Sequence, residues 1–480
     1  MEPQSPVSAS ARSDAPSVPA APPSSAEATL VPTISVFRSF EALESLRPAW
    51  RELCQYCDAD VDFLQNIVAQ RPGFLRPHVM VFSTPGTATT MLVGRIEKRA
   101  WRFWLRPQTT AGQSVAVLVV PEGGVIGAES VVACEHVVRE VGCALRRGEF
   151  DLALFGGLEK GTPLHDAVCS GPAFFCRDHG VKHETHWHGR LPGTLDEFLC
   201  RISSQHRSVF RRKQRKLESA FPGQIHFRTF TQPGEVEDLA AAAAEVALQT
   251  YQYRRGGGYR PSQEGKSFLE LAARNQWLRG YVLYAGKLPI AFWIGTLYQS
   301  SFRLDTTGYL QDYKDFDPGI ILFLHMVDDL CKQRVKQLDF GSGESPYKAR
   351  FGDTKLEMAI ACMFAPTVKS VMLMTAKCLR YSLENTGRHI ASRIGLEHPL
   401  RKIWHHLPSA LQMKQSLELT LVCLMLIFLG TWQRWLKWPE GALLTAALCV
   451  LTSLEIVHRL RTPQTPEHGA TRPDRVWSAS

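Results

Sequence analysis

Residues Asp317–Gly352 read DPGIILFLHMVDDLCKQRVKQLDFGSGESPYKARFG. The segment parses as a turn, a helix, a short strand and a polar, glycine-rich loop. Asp317-Pro318-Gly319 has the chemistry of a helix start: aspartate caps free backbone N–H groups, and proline suits the first helical position. Ile320 to Cys331 then carries an apolar face, and Val335 to Phe340 is a β-type run that includes the acidic Asp339. Gly341, Gly343, Glu344, Tyr347, Lys348 and Arg350 follow, a density of polar chemistry that a packing element does not need. A helix start beside such a loop suits a phosphate or pyrophosphate, because free N–H groups and the positive end of the helix dipole face the ligand.

Working outward, Leu278–Tyr284, Leu288–Tyr298 and Ser301–Thr307 read as consecutive strands, with Gly286 at the first turn. Thr194 and Glu197 form a capping box that starts a helix through Phe210 toward Leu217. That helix carries Arg207, Arg211, Arg212, Lys213, Arg215 and Lys216. Ile225–Thr229 reads as a strand, Val236–Tyr251 and Phe268–Arg274 as helices, and Arg254–Arg260 as a glycine-rich basic loop suited to a lid. The upstream half has its own mixed pattern. Phe40–Cys54 has helical periodicity through Leu43, Leu46, Trp50 and Leu53. Val79–Ser83, Thr90–Ile96, Trp101–Leu105, Ser114–Val120 and Asp151–Phe155 read as strands, with helices at Glu129–Arg147 and Leu164–Cys169. The class is a mixed α/β layer, α/β or α+β.

A chain of 480 residues has room for two or three domains, and its net charge of +9 favours anionic partners such as CoA phosphates, RNA or a membrane surface. The 12 cysteines show no repeating framework, which points to a reducing compartment. Cys54 and Cys57 are expected to put two small apolar side chains on one helix face. Residues 1–31 are a Ser/Ala/Pro-rich tail, expected to be disordered and without a secretory signal. Leu419–Trp432 and Gly441–Leu454 are almost wholly apolar. Each is shorter than the ~20 residues of a spanning helix, but snorkelling of Lys414 and Arg434 extends the first. Trp432, Trp435 and Trp438 cluster at the junction, as interfacial aromatics do. The expectation is a membrane helical hairpin at 415–458, after a helical linker at 371–414 and before a disordered tail at 459–480.

The ordered series Pro318-Gly319, Asp339-Phe340, Tyr347-Lys348 and Phe351-Gly352 resembles the CelD/FemAB-like branch of the GNAT acyltransferases. No glycine-rich kinase loop or HRD segment precedes Asp339-Phe340-Gly341, which excludes a kinase. The resemblance implies two tandem GNAT-like units, at 32–190 and 191–370. It also implies an N-acyltransferase that moves an acyl group, acetyl above all, from acyl-CoA to an amine of a polysaccharide- or envelope-related acceptor. The setting expected is a bacterial-type inner membrane with the catalytic domain cytoplasmic. Two alternatives stand beside it: a FemAB-like transferase using aminoacyl-tRNA, and a non-catalytic accessory protein of exopolysaccharide synthesis.

Acyl transfer from a thioester to an amine needs a base, oxyanion donors and an acid for the leaving thiolate. Asp305, Asp339 and Glu344 are the candidate bases, and Tyr347 is the candidate acid. Pro318, Gly319, Lys348 and Arg350 are expected to hold the carrier, and Arg211, Arg212 and Arg303 the substrate. His183, His186 and His188 lack the HExxH spacing. On a strand, His186 and His188 share a face, but no further ligands are evident in the sequence, and no metal is expected.

Overall fold

The computed structural model describes residues 32–83, 89–100, 114–250, 253 and 258–393. Its strands are β1 Thr33–Phe37, β2 Phe74–Ser83, β3 Thr90–Ala100, β4 Ser114–Val120, β5 Val125–Ile126, β6 Leu152–Glu159 and β7 Lys182–Arg190 in the first half. The second half adds β8 Ile225–Phe230, β9 Leu278–Ala285, β10 Leu288–Tyr298, β11 Ser301–Tyr309, β12 Gln337–Ser342 and β13 Thr354–Phe364. All belong to one sheet, ordered β1-β2-β3-β4-β6-β13-β7-β12-β11-β10-β9-β8, with β5 on β3. Among these strands, the β4–β6 and β11–β12 pairs are parallel and the rest antiparallel.

This order reads alike from both ends. β1 to β4 and β6 correspond to β8 to β11 and β12, and each half hands its last strand across. β13 closes the second half yet lies between β6 and β7; β7 closes the first half yet lies between β13 and β12. Each half therefore completes the other's backbone hydrogen bonding, which buried strands must satisfy. The exchange is what brings residues of β7 to the second half's Asp339.

Helix Val131–Arg146, capped by Ser130, buries Val137, Val138, Val141 and Leu145 with Met80, Leu92 and Phe155 of the first-half sheet. Helix Pro318–Lys332 buries Leu322, Phe323, Met326 and Leu330 with Phe292, Phe302 and Phe340 in the second. A further apolar cluster joins the halves, with Trp50, Phe63 and Leu64 from one and Phe268, Leu271 and Tyr298 from the other.

Several local expectations change. The Phe40–Cys54 helix is broken into Phe40–Leu43, a 3-10 turn at Glu44–Leu46, and Arg47–Leu53. Cys54 follows that last piece and Cys57 starts a separate 3-10 turn; both are buried, but they do not share a helix face. The basic helix is two, Leu195–Cys200 and Ser204–Ala220, because Ser203 supplies a second cap by accepting from His206 N–H. Asp317 adopts a left-handed φ of 53° and its side chain makes no capping bond, so Pro318 alone provides the expected start chemistry. Helix Val368–Arg393 covers the described part of the linker. Trp101–Leu105, Arg254–Gly257 and the hairpin at 415–458 lie outside the described residues. Among the described residues no helix is long and apolar enough to cross a membrane.

Candidate functional site

β11 and β12 pair in parallel from Ser301↔Gln337 to Arg303↔Asp339, and their register ends there. Asp339 thus stands where two strands part. β12 is also bulged against β7 between Asp339 and Gly341, and Gly341 takes a φ of 72°, a conformation that favours glycine. The bulge turns the Gly341 N–H onto Asp339 Oδ1 at 2.7 Å.

The same oxygen accepts from His186 Nε2 at 2.6 Å. His188 Nε2 lies 3.7 Å from it, and His188 Nδ1 meets Gln337 Nε2 at 2.8 Å. Asp339 and His186 are 7% and 6% exposed, so the pair is shielded from water. Burial works to raise the Asp339 carboxyl, but the hydrogen bond and charge of His186 outweigh it and hold the pKa below the usual 3.8. Burial works to lower His186, and Asp339 more than reverses this, leaving the imidazole above its usual 6.5. Burial lowers His188.

His186, His188 and Asp339 each offer a ligand atom within 4.8 Å of the others. Two ligands of one tetrahedral zinc, each about 2.0–2.1 Å from the metal, stand roughly 3.3 Å apart. The 2.6 Å separation of His186 and Asp339 is instead that of a short, charge-assisted hydrogen bond. This cluster was not evident from sequence, because the histidines and their carboxylate are 153 residues apart.

Glu122, in the turn after β4, was missed entirely. The first half's parallel pair ends at Val120↔Phe155, and the half-buried Glu122 lies across that opening against Gly157. Gly157 has a φ of 62°, and a Cβ there would stand 2.4 Å from Glu122 Cγ. Burial, then the charge of Asp339, pushes the Glu122 carboxyl up to about 7.

The remaining candidates disperse. Arg303 and Asp305 are on β11, with Arg303 the register partner of Asp339 at the opening itself and Asp305 two residues further along. Arg303 pairs with Asp58 at 2.8 Å and with Asp305 at 2.8 Å, and Thr296 also donates to Asp305. These groups are committed to one another: Arg303 ties β11 to the first half's Asp58, a reason of packing for what was expected to be a substrate contact. Glu344 is exposed and paired with Lys355 at 2.9 Å, away from the Asp339 pair. Lys348 is 2% exposed and donates to Ser342 O at 2.5 Å and Gly341 O at 3.4 Å. It braces the loop from inside, which corrects its expected contact with a carrier phosphate. Burial brings its ammonium down to about 8.

Tyr347 packs on Trp293, Phe323 and Phe340, with ring centroids 5.8, 6.5 and 6.1 Å away. Phe340 and Asp339 are successive residues of β12, so Tyr347 sits on the opposite face from the His186–Asp339 pair. The Pro318 helix start is on the Tyr347 side: Gly319 O accepts from Trp293 Nε1 at 2.9 Å. The basic helix Ser204–Ala220 comes alongside, with Lys213 Nζ on Asp315 O at 2.6 Å and Lys216 Nζ 5.1 Å from the Phe316 ring. Arg211 and Arg212 are exposed on that helix, and Arg350 lies over the Phe210 ring at 5.8 Å.

The sequence names the domain: residues 204–349 match the family model described as an acetyltransferase (GNAT) domain. This protein is accordingly an acyltransferase carrying a GNAT domain, and its mixed α/β sheet is GNAT-like. No curated protein matches the chain. Among solved structures it is similar to FemX, at 8% identity, covering 68% of this chain and 96% of that one, with a TM-score of 0.49. It is also similar to a tandem GNAT protein from the clavulanic acid biosynthesis pathway, at 11% identity, 70% and 99% coverage and a TM-score of 0.37. A third is the C-terminal domain of a lysylphosphatidylglycerol synthetase from Agrobacterium fabrum described as putative, at 12% identity, 59% and 84% coverage and a TM-score of 0.37.

Proposed function

We propose that the protein is an N-acyltransferase that moves an acyl group, acetyl in the first instance, from acyl-CoA to an amine on a polysaccharide- or envelope-related acceptor. The observation that carries the reading is the parting of β11 and β12 at Asp339, inside the stretch that matches the GNAT domain. A linear carrier arm fits such an opening, because strands that have stopped pairing leave backbone groups free for a ligand. Its phosphates would lie at the Pro318-Gly319 helix start, where N–H groups and the helix dipole favour anions, with Arg350 and the basic helix near. The hydrogen-bonded His186–Asp339 pair handles the amine's proton. Burial raises the Tyr347 phenol above the usual 10.0, keeping it protonated. Asp305 holds Arg303 in place, and Glu344 remains a rim residue.

We read the two corresponding halves as tandem GNAT-like units, residues 32–190 and 191–370. The first has its opening covered by Glu122, which leaves the second as the acyl-carrier unit. An aminoacyl-tRNA donor is the second reading, and the exposed row of Arg211, Arg212 and Arg215 is what favours it.

The first experiment is thermal denaturation of the protein with a series of acyl-CoAs. At a hundred times its dissociation constant, the true carrier adds about 2.7 kcal/mol of stability. Absence of any shift across the series, in folded protein, rules out the acyl-CoA reading and turns attention to tRNA. Attachment through 415–458 is a separate part of the proposal, with the catalytic part on the cytoplasmic side. The full chain is expected in the membrane fraction and a chain ending at Arg393 in the soluble fraction; equal partitioning of the two disproves that attachment.

A further inference from the structure

We infer that His186, carried by the first half on β7, is the proton acceptor of the transfer reaction, with Asp339 of the second half orienting it. The inference rests on the acyltransferase reading above and assigns its base to a residue outside the matched domain.

The argument begins with which nitrogen holds the proton. An ionised carboxylate can only accept, so the 2.6 Å contact with Asp339 Oδ1 places the hydrogen on His186 Nε2. Asp339 cannot swing away, because the Gly341 N–H holds the same oxygen at 2.7 Å. In the neutral imidazole the lone pair is then on Nδ1. Among the described residues Nδ1 has no hydrogen-bond partner. Nor is it one of the sealed, unpartnered atoms, which are His78 Nε2, Trp187 Nε1, Thr306 Oγ1 and Ser345 Oγ. The atom is therefore neither spent on a described partner nor fully sealed, and its lone pair can receive a proton. His188 offers no such atom: Gln337 meets its Nδ1, and its Nε2 faces Asp339. The rings of His186 and His188 meet edge to face with centroids 4.9 Å apart, so His188 walls one side of the base.

The position suits the chemistry. Asp339 marks the last register of the parallel pair, so His186 stands beside the place where the sheet opens. The amine nitrogen's lone pair forms the C–N bond to the thioester carbonyl carbon. The nitrogen's proton passes to His186 Nδ1, giving an imidazolium stabilised by Asp339. The C–S bond then breaks and its electron pair leaves on sulfur. The thiolate takes a proton from solvent, to which the imidazolium returns the one it accepted, so an amide and a free thiol are the net products. Neither half of the molecule holds the complete proton-handling apparatus.

The test uses the full chain labelled with ¹⁵N-histidine, as wild type, His186→Gln and Asp339→Asn. NMR is expected to show one imidazole protonated at Nε2 and bare at Nδ1, with its N–H proton far downfield. That signal is absent from His186→Gln and moves upfield in Asp339→Asn. At a pH above the ring's titration, where it is neutral, a proton found on His186 Nδ1 overturns the inference without any assay of turnover. Acetyl-CoA binding, read as a thermal shift, and acetylation of glucosamine as the probe acceptor supply the second readout. His186→Gln is expected to keep the acetyl-CoA shift and lose about 10²–10⁴-fold in kcat. A kept shift with unchanged kcat overturns the base assignment and leaves the acyltransferase reading standing. No acetyl-CoA shift in the wild type overturns that reading itself, and the base assignment with it.

Discussion

Asp339→Asn is expected to lower kcat by about 10²–10⁴-fold with little change in the KM for acyl-CoA. The side chain keeps its shape, so the loss measures charge. The Gly341 N–H demands an oxygen at that position, so the asparagine carbonyl still accepts from Nε2, and what is lost is the negative charge that stabilises the imidazolium. The pH profile carries the sign. Asp339 lifts His186 above 6.5 in the folded protein, against the opposition of burial. The active form is the neutral ring, so the wild-type rate climbs as pH rises through that raised value. In Asp339→Asn burial is opposed by the charge of Glu122 but no longer by that of Asp339, and the inflection moves to lower pH.

Stability follows the same linkage. The raised His186 contributes stability that is complete below 6.5 and lost as pH rises through its folded value. The depressed Asp339 contributes stability that is complete above 3.8 and lost as pH falls through its folded value. The gap in unfolding free energy between wild type and Asp339→Asn is therefore widest between those two values and narrows on either side. Denaturant titrations across the pH range measure it. A gap that is flat with pH shows that the two groups do not share a proton-linked contact.

The local half of this site was legible in the sequence. The Pro318 helix, the strand bearing Asp339 and the polar loop to Gly352 all follow from caps, periodicity and turn residues close together in the chain. Ser114–Val120 and Leu288–Tyr298 match their strands to the residue, because alternation and flanking turns are local signals too. What joins distant segments was not legible. Nothing near Lys182–Arg190 says that this strand leaves its own half to pair with β12 and β13, so the alternation of His186 and His188 had no visible partner. The break at Ser203 was hidden for a different reason. Basic residues on both sides tolerate a helix, and the serine's preference for capping competes within one turn of chain. Glu122 left no signal at all, since its role depends on Gly157 making room for it on another strand.

Arg303 gives the second large expected effect. Read from sequence it is a cation on a strand, suited to a substrate; in the fold it is the link between Asp305 on its own strand and Asp58 on the other half. Asp58 belongs to the segment that also lays Asp60 against the Tyr298 hydroxyl at 2.7 Å, so this corner of the interface is held by polar contacts around an apolar cluster. The side chains of Arg303 and Asp58 are half-buried and that of Asp305 is nearly sealed, so removing Arg303 leaves Asp305 above all without compensation, a cost of up to about 3–5 kcal/mol. Arg303→Met keeps most of the stem's volume and is expected to lose stability in that range. The same logic says how to recover it. Burial already raises the Asp305 carboxyl despite Arg303, so that group gives up its charge readily once the guanidinium is gone. Asp58 is different, because Arg303 holds its carboxyl low against burial. Adding Asp58→Asn to Arg303→Met should therefore restore part of the loss, and the double-mutant cycle should show coupling well above the 0.2–1 kcal/mol typical of exposed pairs. Chemical denaturation of the four proteins supplies the numbers. If Arg303→Met unfolds like the wild type while acyl transfer collapses, Arg303 is a substrate ligand after all and the tether assigned to it is wrong.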